Sequence, residues 1–228
     1  MRILASPLVT IPVAALFVLN LCLAIERSGA SVPPVASAGA PAASRHAANF
    51  GEHAVSREAR KLAGWIAGSR DNASAAFAIV DKKLSRLHVF DSEARLRATS
   101  VILLGSSPGD DTVSAAVADV RPHERTTPAG RFVAELAGNL REKEVFWVSR
   151  ADGLSIHPVL TTNPAERELQ RVATPRPGEK RKSYGCINVP AAFFGEVMRP
   201  SFAQGAVVYI LPETKTLNQV FRIDDSFA

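Results

Sequence analysis

The chain has 228 residues, 46% of them apolar and 21% charged, and 27 Lys+Arg against 22 Asp+Glu leave a formal charge of +5. That balance excludes a disordered polyelectrolyte, a coiled coil, a collagen-like chain and a multi-span membrane protein. An isoelectric point near 9.6 does not make a nucleic-acid binder, because no dense Lys/Arg stripe interleaved with aromatics is present. Two cysteines, Cys22 and Cys186, are too few for a disulfide framework, and no CxxC, HExxH or GxxxxGK[ST] motif occurs. No cofactor and no metal are expected.

Residues 3–25 carry no charge, with Arg2 ahead of them and Glu26-Arg27 behind. At about 1.5 Å per residue such a run spans a hydrocarbon core of roughly 30 Å. It has equally the form of a secretory signal, with Ser28-Gly29-Ala30 as a small-x-small cleavage site. Residues 1–30 therefore read as a cleaved signal peptide or a single retained N-terminal membrane anchor, and both export the rest of the chain. Residues 31–48, rich in Ala, Ser and Pro, form a flexible linker. One folded domain follows over 49–228.

Val55, Ala59, Leu62, Trp65 and Ile66 recur at helical spacing and predict an amphipathic helix over 54–67. Short β-rich runs follow at 76–81 and 86–91, joined by a hairpin turn at 82–85, with a third at 100–104. Further strands are expected at 131–135, 145–149 and 206–211, and short helices at 164–172 and 190–198, each with proline in or near its first turn. Many short strands and few helices predict a mostly-β sandwich with one N-terminal helix.

Once residues 1–30 are set aside, Cys186 is the one thiol left in an exported domain. Asn188 reads as a helix N-cap, so Cys186 is expected just ahead of a helix N-terminus whose dipole favours a thiolate. Gly185 lets the backbone approach a substrate carbonyl, and the N–H groups around Tyr184–Cys186 could face an oxyanion, worth about 3 kcal/mol per donor. A lone cysteine is also commonly a small buried hydrophobe. Among the histidines His46, His53, His88, His123 and His157, the last closes an apolar run with a proline directly behind it. A strand end suits a catalytic imidazole, though also a merely solvated one. The residues by themselves leave both readings open.

The order of motifs adds to this. Paired first strands (AFAIVDKKLSRLHVFD) and a third strand ending in Gly105 precede Thr127-Pro128-Ala129-Gly130-Arg131-Phe132. A histidine and a Ser-x-Gly-Cys-x-Asn segment come after. Over about 77–213 the chain resembles the catalytic domain of L,D-transpeptidases of the YkuD type. The resemblance implies a β-sandwich and a cysteine acyltransferase acting on peptidoglycan stem peptides in the periplasm or cell envelope. The cysteine attacks after the third, diamino-acid residue, releases D-Ala and passes the acyl group to an amine, or to water in a carboxypeptidase. By that resemblance Cys186 is the nucleophile and His157 the general base and acid. Gly185 with Cys186 forms part of the oxyanion hole, and Ser183, Tyr184 and Asn188 lie on the substrate side. Residues 127–132 support the sheet. Carbapenems acylate enzymes of this kind.

The chain departs from the family in two places. Tyr184 stands where the family has histidine, and 25 residues separate His157 from Ser183, a longer gap than usual. The extra length holds a short helix and the run Lys180-Arg181-Lys182. Such a cationic segment suits either a lid over anionic peptides or a solvated loop. A non-catalytic cell-wall binding protein of the same fold is the alternative function.

Overall fold

The computed structural model describes residues 48–53, 55–112, 124–138, 144–159 and 168–223. The expected signal or anchor at 1–30, residues 31–47 of the linker, Cys22, His46 and His123 lie outside the described residues. Among the described residues no helix is long and apolar enough to cross a membrane.

Helix α1, Arg57–Ser69, starts where Ser56 accepts a hydrogen bond from the Ala59 N–H and ends at Arg70 in the left-handed region. It buries Ala59, Leu62, Ala63, Ile66 and Ala67 on one face, the stripe that the helical spacing predicts. Strands β1 (Phe77–Asp81) and β2 (Arg86–Phe90) form the expected hairpin, followed by β3 (Leu96–Val101) and β4 (Leu104–Gly105). Next come β5 (Gly130–Ala137), β6 (Val145–Ser149) and β7 (Leu154–Pro158), then helix α2 (Glu168–Ala173) and a short 3₁₀ turn, Pro177–Lys180. Beyond lie β8 (Arg181–Ser183), β9 (Ile187–Val189) and the contiguous turns α3 (Ala191–Phe193), Phe194–Met198 and α4 (Arg199–Ser201). Strand β10 (Ala206–Ile210) and helix α5 (Leu217–Phe221) complete the chain as described.

The mostly-β class is as expected. Eight strands form one sheet in the order β3-β2-β1-β10-β5-β6-β7-β9, and β4 pairs separately with β8. Central strand β1 is buried along its whole length, so alternation divides it between two cores. Ala78 and Val80 join Leu87, Phe146, Ile156, Ile187 and Phe202 inside the curve of the sheet. Phe77 and Ile79 join Tyr209, Phe90 and the apolar face of α1 outside it. The two ends of the sheet meet where Leu103, just past β3, exchanges both backbone hydrogen bonds with Asn188 of β9, at 2.9 and 3.0 Å. The sandwich is thus one sheet bent almost into a barrel.

Two expectations fall here. The third strand lies at 96–101 rather than 100–104, because β2 and β3 pair from Arg86 with Val101 down to Phe90 with Leu96. Asn188 is a strand residue rather than a helix cap: it sits in the middle of β9, and the helical turns begin after Pro190. Pairing with both β7 and Leu103 outweighs the local capping signal.

A buried ion pair ties the loops beneath the sheet edge. Lys82 Nζ donates to Asp110 Oδ1 at 2.8 Å, to the Gly109 carbonyl at 2.5 Å and to the Thr127 carbonyl at 2.8 Å. The Asp110 carboxylate also accepts the N–H groups of Glu213, Thr214 and Lys215. Burial alone would raise its pKa. The hydrogen bonds from Lys82 and Thr214 win and hold it far below the usual carboxylate range.

Candidate active site

Strands β7 and β9 run side by side in parallel, with Ile156 opposite Ile187, His157 opposite Asn188 and Pro158 opposite Val189. Leu154, Ile156, Ile187 and Val189 point into the inner core. A strand alternates with period two, so Ser155 and His157 of β7 share the other face with Asn188, and with Cys186 immediately before β9. Four side chains with chemistry are gathered by the register of two strands. The sequence-level pair, Cys186 and His157, is brought together.

Cys186 is half-buried and forms no disulfide among the described residues. Its Sγ donates to the Gly153 carbonyl at 3.4 Å and lies 3.5 Å from Ser155 Oγ. His157 is almost closed off from solvent, and its Nδ1 lies 2.9 Å from the Pro158 carbonyl oxygen. A carbonyl can only accept, so the proton is on Nδ1 and Nε2 is the nitrogen left for the thiol. Burial pushes the Cys186 thiol up. A hydrogen bond with His157 and one with the Ser155 hydroxyl, and then the positive charge that His157 carries once it is protonated, outweigh burial and place the thiol below its ordinary value of 9.0. The helix dipole expected from sequence has no part in this, since β9 stands between the thiol and the first helical turn.

Ser155 is the member that sequence reading missed. The signal was its position two residues before His157, which in a strand means the same face. Only the thiolate reacts with iodoacetamide, and reactivity is lost as pH falls through the folded thiol's pKa. Wild type should therefore keep its alkylation rate to lower pH than an ordinary cysteine. Ser155→Ala removes about one net hydrogen bond, 0.5–1.5 kcal/mol, and should move the inflection up by about 0.4–1 pH unit. A variant profile superimposed on wild type would remove Ser155 from the thiol's environment.

Gly185 holds φ +111, and an added Cβ would come within 3.0 Å of the Thr126 carbonyl oxygen, so glycine is required there. Its N–H donates to Ser183 Oγ at 3.2 Å, and the Ser183 hydroxyl donates to the Cys186 carbonyl in a very short contact. Ser183 and Gly185 thus brace the turn that presents the thiol. Asn188 is buried beside His157, its Oδ1 without a hydrogen-bond partner among the described residues. Tyr184 is 55% exposed, with the Arg125 guanidinium 4.9 Å over its ring.

The cationic run is not a solvated loop. Lys180 is buried, and its Nζ donates to the carbonyls of Arg171, Val172 and Thr174 at 3.3, 2.8 and 2.6 Å. Arg181 donates to the Gly105 and Ser107 carbonyls and pairs closely with Glu213. Two of the three charges fasten the segment to the domain. An open cleft of about 800 Å³, bordered by Ala76, Asp91, Arg97, Glu196 and Gln204, contains none of the side chains around Cys186.

No family model and no curated protein matches the chain. Solved structures do resemble it. The NMR structure of the catalytic domain of an E. faecium L,D-transpeptidase is 18% identical with a TM-score of 0.34, over 60% of this chain and 98% of that one. The helical cell shape determining protein Pgp2 (K307A mutant) from Campylobacter jejuni is 15% identical with a TM-score of 0.42, over 71% of this chain and 58% of that one. Bdellovibrio bacteriovorus Bd1075 is 13% identical with a TM-score of 0.36, over 66% of this chain and 50% of that one. At such values these are likenesses of fold and say nothing about chemistry.

Proposed function

We propose that the protein is a cysteine-dependent L,D-transpeptidase of the cell envelope, acting on peptidoglycan stem peptides. The observation that supports this most is the pairing of Cys186 with His157 across β7 and β9, with the His157 tautomer fixed by Pro158. A binding module has no need of that pair.

In the first half-reaction His157 Nε2 takes the thiol proton, and Cys186 Sγ attacks the carbonyl carbon of the diamino-acid residue. The C–N bond to the terminal D-Ala breaks, and the imidazolium returns the proton to the leaving amine. An amine of a neighbouring stem, or water, then gives its proton to His157 and attacks the thioester, restoring the thiol. The Gly185 N–H is already engaged by Ser183, so the Cys186 N–H is the oxyanion donor in this scheme. Tyr184, exposed beneath Arg125 beside the thiol turn, serves as a substrate-facing wall. Export by residues 1–30 would bring the domain to the compartment where the stem peptides are.

Mass spectrometry of the purified protein mixed with disaccharide-tetrapeptide tests the reaction class. Loss of D-Ala is expected, with cross-linked dimers for transfer to an amine or tripeptide for transfer to water. Binding without any loss of D-Ala would favour the non-catalytic wall-binding protein instead.

A further inference from the structure

We propose that Thr127 is a positioning residue that aims the Cys186 N–H at the carbonyl oxygen of the bound peptide. The proposal rests on the acyl-transfer reading above and assigns a second task to a residue expected only to support the sheet. Thr127 is fully buried, and its single hydroxyl works in both directions. Oγ1 accepts the Gly105 N–H at 2.9 Å and donates to the Gly185 carbonyl at 2.9 Å.

The Gly185 carbonyl and the Cys186 N–H belong to one trans peptide unit, so they point in opposite directions across a rigid plane. Holding the oxygen on the Thr127 side turns the N–H to the other side. Gly185 could otherwise swing this unit about its ψ, since a glycine without Cβ has the least restricted backbone of any residue. Thr127 is itself anchored. Its carbonyl accepts Lys82 Nζ, whose ammonium is also held by Asp110 and the Gly109 carbonyl. The hydrogen bond has a further effect: a peptide whose oxygen accepts a proton donor is polarised, and its N–H becomes a stronger donor. The Lys82 strut, Thr127 and the Gly185–Cys186 peptide thus form one continuous support for a developing oxyanion.

The test separates two reactions of the same thiol. Alkylation by iodoacetamide is displacement at a saturated carbon and builds no oxyanion, whereas acylation by a stem peptide or a carbapenem does. Thr127→Val keeps the shape and removes the hydroxyl. Loss of an oxyanion donor costs roughly 10²–10³-fold, so a donor mis-aimed but still present should slow acylation at least about 10-fold. Alkylation and its pH profile should stay within about twofold, and Thr127→Ser should recover most of the acylation rate. Thr127→Ala, which empties the space, repeats the comparison if the valine variant does not fold. An unchanged acylation rate overturns the proposal, as does a parallel loss of alkylation or of the fold in both variants, which would mark a purely structural residue. A wild-type chain that iodoacetamide alkylates and neither acylating reagent modifies would overturn the acyl-transfer reading itself, and this proposal with it.

Discussion

Cys186→Ala should abolish release of D-Ala while leaving the fold in place. Cys186 is half-buried and belongs to neither core, so removing Sγ costs the fold about 1 kcal/mol or less. Among the described residues no other thiol can provide the covalent step. Ser155, whose hydroxyl lies 3.5 Å from Sγ, is buried. Turnover should fall by at least about 10⁴-fold. Thermal unfolding and circular dichroism should match wild type. Undiminished turnover in this variant would take the nucleophile away from Cys186.

His157→Gln has the next largest expected effect. Glutamine keeps a polar side chain of similar reach and cannot carry the proton, so acylation should slow by about 10²–10⁴-fold. The variant also tests what depresses the thiol. His157 provides the largest of the influences that lower the Cys186 pKa, through a hydrogen bond and through charge. Without it, burial acts against the Ser155 contacts alone and the folded pKa rises towards 9.0. The thiolate then begins to be lost at higher pH than in wild type, so the acid limb of alkylation should move up. Stopped-flow alkylation and acylation from pH 5 to 10 read both effects. A variant whose rate and profile are unchanged would move the base elsewhere.

What the sequence made legible follows its periodicities. The helical spacing of Leu62 and Ile66 became the helix it predicts, and the β-rich runs at 76–81, 86–91, 145–149 and 206–211 became strands, to within a residue at either end. In each of them the apolar pattern and the tertiary packing agree. The failures are short elements whose conformation depends on partners. Strand β9 is three residues long, and its local signal, Asn before Val-Pro, favours a helix cap. Only pairing with β7 and Leu103 makes it a strand. Placing Cys186 at a helix N-terminus was the direct consequence of missing β9.

The site was legible by type but not by arrangement. Cys186 and His157 stand out as the one thiol of the folded domain and a strand-end imidazole. Ser155 is concealed among ordinary strand serines until the register sets it opposite the thiol. Lys180 and Arg181 read as solvated charges because composition cannot show that carbonyl oxygens and Glu213 already hold them. Thr127 was legible as part of a motif, yet its contact with Gly185 spans 58 residues of sequence.

The central claim is that Cys186 carries an acyl group derived from a stem peptide. Intact-mass spectrometry of the full chain, quenched in acid after mixing with disaccharide-tetrapeptide or a carbapenem and followed by proteolytic mapping, measures this most directly. The expected result is one adduct on the peptide containing Cys186, absent from Cys186→Ala and slow to form in His157→Gln. No adduct on a thiol that iodoacetamide modifies readily, or an adduct mapped to any other residue, would contradict it.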